Sequence, residues 1–277
     1  MRGIIMFVSP MLLHKTEKPF TDDSYLTELK LDGIRLILHK GSNGIVRLYT
    51  RHNNEITARF PELKNIDIPS GTTLDGELIA TNAEGKPDFE ALMQRLMSNN
   101  NATPVSFVAF DMMHYKEKNI TNLPLLERKA LLDQTLAEDN SLVSKVRYVE
   151  GNGEAYYDLV EEQSLEGIVL KHINSKYQSG KRSHSWLKVI NYQYTDAIVT
   201  GYRKSKFGWI LEYPDGTYAG VMELGVPPAV RQKFYQYPIK KETKDYRYLA
   251  TPQPIKVKYR NKTKTGLLRL PSIIQTE

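Results

Sequence analysis

Glu28-Leu29-Lys30-Leu31-Asp32-Gly33-Ile34-Arg35 is the stretch on which the reading of this chain turns. Aromatic, β-branched and leucine residues over 25–31, closed by Gly33, read as a strand ending at a glycine turn. Side chains two apart on a strand share a face, so Glu28, Lys30 and Asp32 are expected together. A lysine then stands between two carboxylates where the strand stops. Taken alone, the pattern describes a solvated charged face, and its neighbours in the chain must decide otherwise.

Working outward, residues 34–39, 46–50, 72–80 and 105–111 are further strands, with a hairpin signal at Ser42-Asn43-Gly44. Helical periodicity marks 88–97 and 125–136, the latter following Pro124. Strands return at 166–171 and 185–190, giving a mixed α+β order with meandering connections. After Asn191 the pattern changes. Strands are expected at 197–202, 208–213, 218–224 and 254–259, a turn at Pro214-Asp215-Gly216, and one helix over 228–235. A basic, strand-rich module with a helix after its third strand predicts an OB-fold, a small all-β barrel that commonly binds oligonucleotides. The domain boundary is therefore expected near Asn191, with domains 1–191 and 192–277.

Charge divides the same way. The 277 residues hold 38 Lys and Arg against 32 Asp and Glu. Residues 1–191 carry 23 basic and 25 acidic side chains, whereas residues 192–277 carry 15 and 7. The second segment also holds 10 of the 17 tyrosines, and cations interleaved with aromatics suit phosphate backbones and bases. There is no cysteine, which removes thiolate metal sites, disulfides and cysteine nucleophiles. The six histidines lack metal-ligand spacing, and no Gly-x-Ser-x-Gly, P-loop or dinucleotide glycine motif is present. No apolar run approaches the ~20 residues of a membrane span. The expected setting is the cytoplasm, without membrane contact.

Several short motifs follow Lys30 in order: Thr50-Arg51, Leu74-Asp75-Gly76-Glu77, Phe107-Val108-Ala109-Phe110-Asp111, Glu166-Gly167-Ile168-Val169-Leu170-Lys171, and Lys181-Arg182-Ser183-His184-Ser185-Trp186-Leu187-Lys188. Together, in this order and spacing, they resemble the nucleotidyltransferase motifs of ATP-dependent DNA ligases. Pro10-Met11-Leu12, Pro124-Leu125-Leu126-Glu127-Arg128 and Gly266-Leu267-Leu268-Arg269-Leu270-Pro271 carry the same resemblance. It spans almost the whole chain and is similar to small bacterial or phage ligases and to the ligase domain of bacterial end-joining ligases.

The resemblance implies an ATP-grasp-like nucleotidyltransferase domain followed by the OB-fold, acting as a monomer on nicked double-stranded DNA with ATP and magnesium or manganese. Lys30 would be the nucleophile that becomes lysyl-AMP. A free lysine, with pKa about 10.4, is protonated at neutral pH, and neighbouring cations would favour the free amine. Glu28 would read the adenine amino group, and Arg35 and Arg51 would hold the ribose or phosphate side. Glu77 would lie near ribose and metal, and Glu166 at the metal. Phe110 would stack on adenine with Val169 on its other face, leaving Phe107 to the core. Lys188 would contact the α-phosphate.

Two departures stand out. The usual second lysine after Lys188 is Ile190 here, and Arg182, Lys171 and Lys181 are the candidates to supply that charge. The second domain also lacks a clear Arg-x-Asp-Lys motif, for which Arg269 is a weak substitute. The alternatives are an RNA ligase or mRNA-capping guanylyltransferase of the same superfamily, or a non-catalytic OB-fold nucleic-acid-binding protein.

Overall fold

In the computed structural model, which describes residues 7–98 and 102–274, the strand leading to Lys30 ends at Leu29. The next begins at Ile34 in a different sheet. This corrects the expected strand over 25–31: Lys30 and Asp32 stand in a crossover and do not alternate with Glu28 on a strand face. Gly33 has a steric reason to be there, since a Cβ would lie 2.2 Å from the Leu78 carbonyl oxygen.

As far as Ile190 the elements are β1 (Leu12–Lys15), β2 (Tyr25–Leu29), β3 (Ile34–Lys40), β4 (Val46–Thr50), β5 (Thr72–Ile79), α1 (Phe89–Met97), β6 (Ser106–Tyr115) and β7 (Lys118–Asn119). They continue with α2 (Leu125–Thr135), β8 (Val143–Lys145), β9 (Tyr148–Glu150), α3 (Gly153–Glu162), β10 (Gly167–His172) and β11 (Arg182–Ile190). One sheet runs β1-β11-β10-β2-β9; the other runs β4-β3-β5-β6-β7, with β8 on β6. Leu36 and Leu38 of β3 pack with Leu92 of α1 and Leu132 of α2, whereas Ile37 joins Leu26 and Trp186 of the first sheet and Met11 just before β1. Strand β3 is thus apolar on both faces because it is covered on both. On the first sheet's opposite face, Val160 of α3 packs with Ile168 and Leu170. Burying each such side chain contributes about 1.5–3 kcal/mol.

Contacts divide the chain between Ile190 and Asn191. The second unit comprises β12 (Gln193–Arg203), β13 (Trp209–Glu212), β14 (Tyr218–Met222), α4 (Pro228–Tyr235), β15 (Ile239–Glu242), β16 (Tyr246–Tyr259) and β17 (Ser272–Ile273). Its sheet runs β14-β13-β12-β16-β15, with β17 on β16. The Leu268 N–H donates to the Ala219 carbonyl of β14, and Leu268 bridges back to Lys262 beyond β16. These bonds curl the sheet toward a closed barrel, as an OB-fold requires. Inside, Trp209 stacks on Phe234 of α4 with centroids 3.9 Å apart. Strand β16 starts eight residues earlier than expected because its pairing with β12 jumps from Gln253 to Tyr248, a break that bends the strand. Among the described residues, no helix is long and apolar enough to cross a membrane.

Candidate active site

Lys30 emerges where the two sheets of the first unit meet. Its backbone N–H donates to the Gly167 carbonyl at 2.9 Å, and its Nζ donates to Glu166 Oε2 at 2.8 Å. The two side chains are 19% and 11% exposed, screened from bulk water yet reachable. Gly167, with φ of 143°, allows this approach; a Cβ there would lie 2.1 Å from the Val189 carbonyl oxygen. From the other sheet, Glu77 of β5 stands opposite Arg35 of β3. Burial pushes the Glu77 carboxyl up to about 8, aided by the charge of Glu166 and opposed by Lys30 and Arg35. Two carboxylates and an amine therefore share one electrostatic neighbourhood, contributed by both sheets.

Magnesium binds through one or two carboxylates plus phosphate oxygens and water. The described residues gather no cluster of three or more acidic or histidine ligands, and a pair such as Glu77 and Glu166 is the sparse donor set that chemistry needs. A divalent cation between them would offset the burial and mutual repulsion that hold the Glu77 carboxyl up. The residues fit the metal.

A single cross-strand row carries three more of the expected residues. Glu28 of β2 faces Val169 of β10, which faces Lys188 of β11. Tyr148 and Lys15 extend the row at its two ends. Opposed residues in a ladder share a face, so these side chains line one side of the sheet. Glu28 itself is buried, 2.5 Å from Lys129 Nζ of α2 and 2.7 Å from Lys171 Nζ of β10. Lys171, one of the candidates to replace the charge missing at Ile190, is thus engaged with Glu28. Burial lowers its pKa to about 8, with Glu28 opposing and Lys129 reinforcing the shift.

Phe110 owes its placement to a bulge. Asp75 pairs with Asp111 and Gly76 with Ala109, leaving Phe110 as the extra residue of β6. A bulge re-aims its side chain, and this one puts Phe110 beside Lys171 Nζ, 4.5 Å from the ring centroid, and Arg35 at 5.2 Å. Phe107 is fully buried in the core on the sheet's other face, as expected, and Gly76 is small because a Cβ would sit 2.5 Å from the Phe107 ring. Arg35 forms a bidentate pair with Asp75 at 2.9 and 2.5 Å, and Asp75 also accepts from Tyr177 Oη at 2.6 Å.

The remaining expected residues lie in different surroundings. Arg51 is exposed beyond β4, where its Nε donates to His52 at 3.0 Å. Arg182 is exposed at the start of β11 and donates to the Leu13 carbonyl of β1. Ile190 is buried, opposite Gly167. Sequence reasoning missed Lys129 and Tyr177, which brace Glu28 and Asp75. A lysine directly after the Glu127-Arg128 pair was the available signal for the first; nothing local marks the second. Arg128, which carries the resemblance in the Pro124–Arg128 motif, is fully buried and bonded to Asp111 at 2.8 Å through both Nε and Nη2.

Residues 9–189 match the ATP dependent DNA ligase domain family. Over 268 residues the chain is 51% identical to the SPbeta prophage-derived DNA ligase-like protein LigB of Bacillus subtilis, covering 96% of this chain and 98% of that one. It is 28% identical over 295 residues to the multifunctional non-homologous end joining protein LigD of Pseudomonas aeruginosa, covering 95% of this chain and 34% of the relative. Among solved structures, a Lig E DNA ligase superposes with a TM-score of 0.71 at 22% identity, covering 98% of this chain and all of the other, 100%. A mycobacterial DNA ligase D with ATP and MES gives 0.63 at 23%, covering 98% and 96%. At such identities the structural likeness establishes the shared two-domain fold. The chain belongs to the ATP-dependent DNA ligase family. Within it, this enzyme is a close homologue of the prophage LigB protein, and it corresponds to only one part of the longer LigD protein.

Proposed function

We propose that this ligase seals nicks in duplex DNA by three displacements at phosphorus, with Lys30 as the first nucleophile. The observation that carries this reading is the Lys30 amine held 2.8 Å from Glu166 at the junction of two sheets, in the field of Glu77. In the first step, deprotonated Lys30 Nζ bonds to the α-phosphorus of ATP as the bond to the β-phosphate oxygen breaks, releasing pyrophosphate. An oxygen of the DNA 5′-phosphate then bonds to the AMP phosphorus and the N–P bond breaks, regenerating the lysine. Last, the 3′-hydroxyl gives up its proton, bonds to the 5′-phosphorus and expels AMP. All three steps rely on alignment and charge neutralisation.

Glu28 reads the adenine amino group, with Phe110 and Val169 on the two faces of the base. Arg35 and Arg51 serve the ribose and phosphate side, and Lys188 and Arg182 the phosphates. Glu77 and Glu166 would hold the magnesium or manganese ion, which supplies charge neutralisation at the phosphates. Residues 1–191 form the adenylation domain, and the basic, tyrosine-rich segment 192–277 is the OB-fold domain that closes on the duplex. The enzyme works as a monomer in the cytoplasm, in a chemistry common to DNA repair, replication and recombination. The test is nick sealing by Lys30→Ala. Sealing from ATP should vanish, while a nick already carrying 5′-adenylate should still close. Sealing from ATP at wild-type rate would refute the assignment.

A further inference from the structure

Glu28 is the most unusual charged group of the first unit. It is 2% exposed, and ammonium groups from two different elements flank its carboxylate, Lys129 of α2 and Lys171 of β10. Lys171 donates a hydrogen bond to Oε2 and also reaches the faces of Phe110 and Trp186, at 4.5 and 4.3 Å from the centroids. The Lys129 contact is close but off the hydrogen-bonding axis, so Oε1 has an ion partner and no hydrogen-bond donor. The ion pair leaves Oε1 with acceptor capacity for a further donor, which a ligand amino group can use.

Adenine and guanine differ at one decisive position, an exocyclic amino donor in the first and a carbonyl acceptor in the second. A carboxylate accepts from the amino group and rejects the carbonyl, provided that it is held in register with the base edge. The two ammonium groups that flank Glu28 fix that register, so the discrimination depends on the cations as much as on the carboxylate.

We infer that Lys129 is a positioning residue for nucleotide choice: its ammonium, 2.5 Å from Oε1, holds the Glu28 carboxylate in register with the base edge, so that the site takes adenine and refuses guanine nucleotides. The inference rests on the reading of Glu28 as the base-recognising residue. Lys129 itself need not touch the nucleotide. Because α2 supplies it, a helix outside the nucleotidyltransferase row tunes the specificity of that row.

The experiment measures formation of the covalent nucleotidyl adduct from ATP and from GTP by intact mass, giving kcat and KM for each, with Lys129→Met, Lys129→Arg and Glu28→Gln variants. In Lys129→Met the ATP-over-GTP preference should fall by about tenfold or more, the equivalent of one charged hydrogen bond. The loss should lie in KM for ATP, with kcat at saturation within about threefold, since a merely loosened fold would depress both nucleotides alike. Lys129→Arg should restore the preference. Should Lys129→Met not fold, Lys129→Gln, which keeps a donor but no charge, must show the same fall. An unchanged preference in the folded Lys129 variant, with a relaxed one in Glu28→Gln, overturns the inference and leaves the reading of Glu28 standing. An unchanged preference in Glu28→Gln overturns that reading itself.

Discussion

Lys30 is placed by glycine at both ends of its surroundings. Gly33 lets the crossover press against β5, and Gly167 lets β10 begin against β11, so that carboxylates from the two sheets approach one amine. Burial at that junction falls hardest on Glu77, held at about 8 against an ordinary carboxyl near 4.5, with Glu166 adding to the shift and Lys30 and Arg35 opposing it. Between those values the folded protein retains a proton that the unfolded chain has lost. The folded state binds more protons, so Glu77's contribution is full below about 4.5 and is lost as pH rises through 8. In metal-free buffer Glu77→Gln should therefore stabilise the protein at pH 7 by about 3 kcal/mol, with the advantage gone at pH 4. Denaturant midpoints at the two pH values check this. The same variant should lose magnesium-dependent adenylation.

At the scale of elements, the site depends on buried charge that the helices hold in place. Asp111 follows the bulged Phe110 directly, and Arg128 of α2 grips its carboxylate while donating to the Leu123 and Ser175 carbonyls at 2.6 and 2.8 Å. Removing one partner leaves an uncompensated buried charge, so Arg128→Met should cost about 3–5 kcal/mol, read from the urea midpoint. A loss under about 1 kcal/mol would show that the pair contributes little. Much of this was legible beforehand. Strands with apolar runs and the two helices of strong periodicity, 88–97 and 125–136, occur within a residue or two of expectation. Strands β1, β8 and β9 are three or four residues long and are defined by distant partners, which local composition does not announce. Helix α3 was hidden by Gly151-Asn152-Gly153, which reads as a loop; Asn152 sits at φ of 50° and Gly153 packs against the Phe20 carbonyl. The motif residues Lys30, Glu77 and Glu166 could be picked by type and order. The bulge at Phe110 and the pairing of Lys129 and Lys171 with Glu28 could not, because alternation along a strand breaks where a residue is inserted and cross-element pairs leave no local pattern.

For the whole molecule, the distribution of charge makes the division of labour testable. Residues 192–277 hold 15 basic against 7 acidic side chains, whereas the first unit has its own apolar cores and a slight acidic excess. Truncation after Ile190 should leave a folded unit whose affinity for nicked duplex is much reduced. The log-log salt slope of binding, about −0.9 per phosphate neutralised, should flatten in parallel. An unchanged slope in a folded truncation would assign the DNA contacts to the first unit. The central claim is narrower, that Lys30 carries the nucleotide. Its direct test is incubation of the intact chain and of Lys30→Ala with ATP and magnesium, followed by intact mass and peptide mapping. One AMP on the wild-type chain, mapped to Lys30 and absent from the variant, is the predicted result; an AMP of equal occupancy on Lys30→Ala would contradict it.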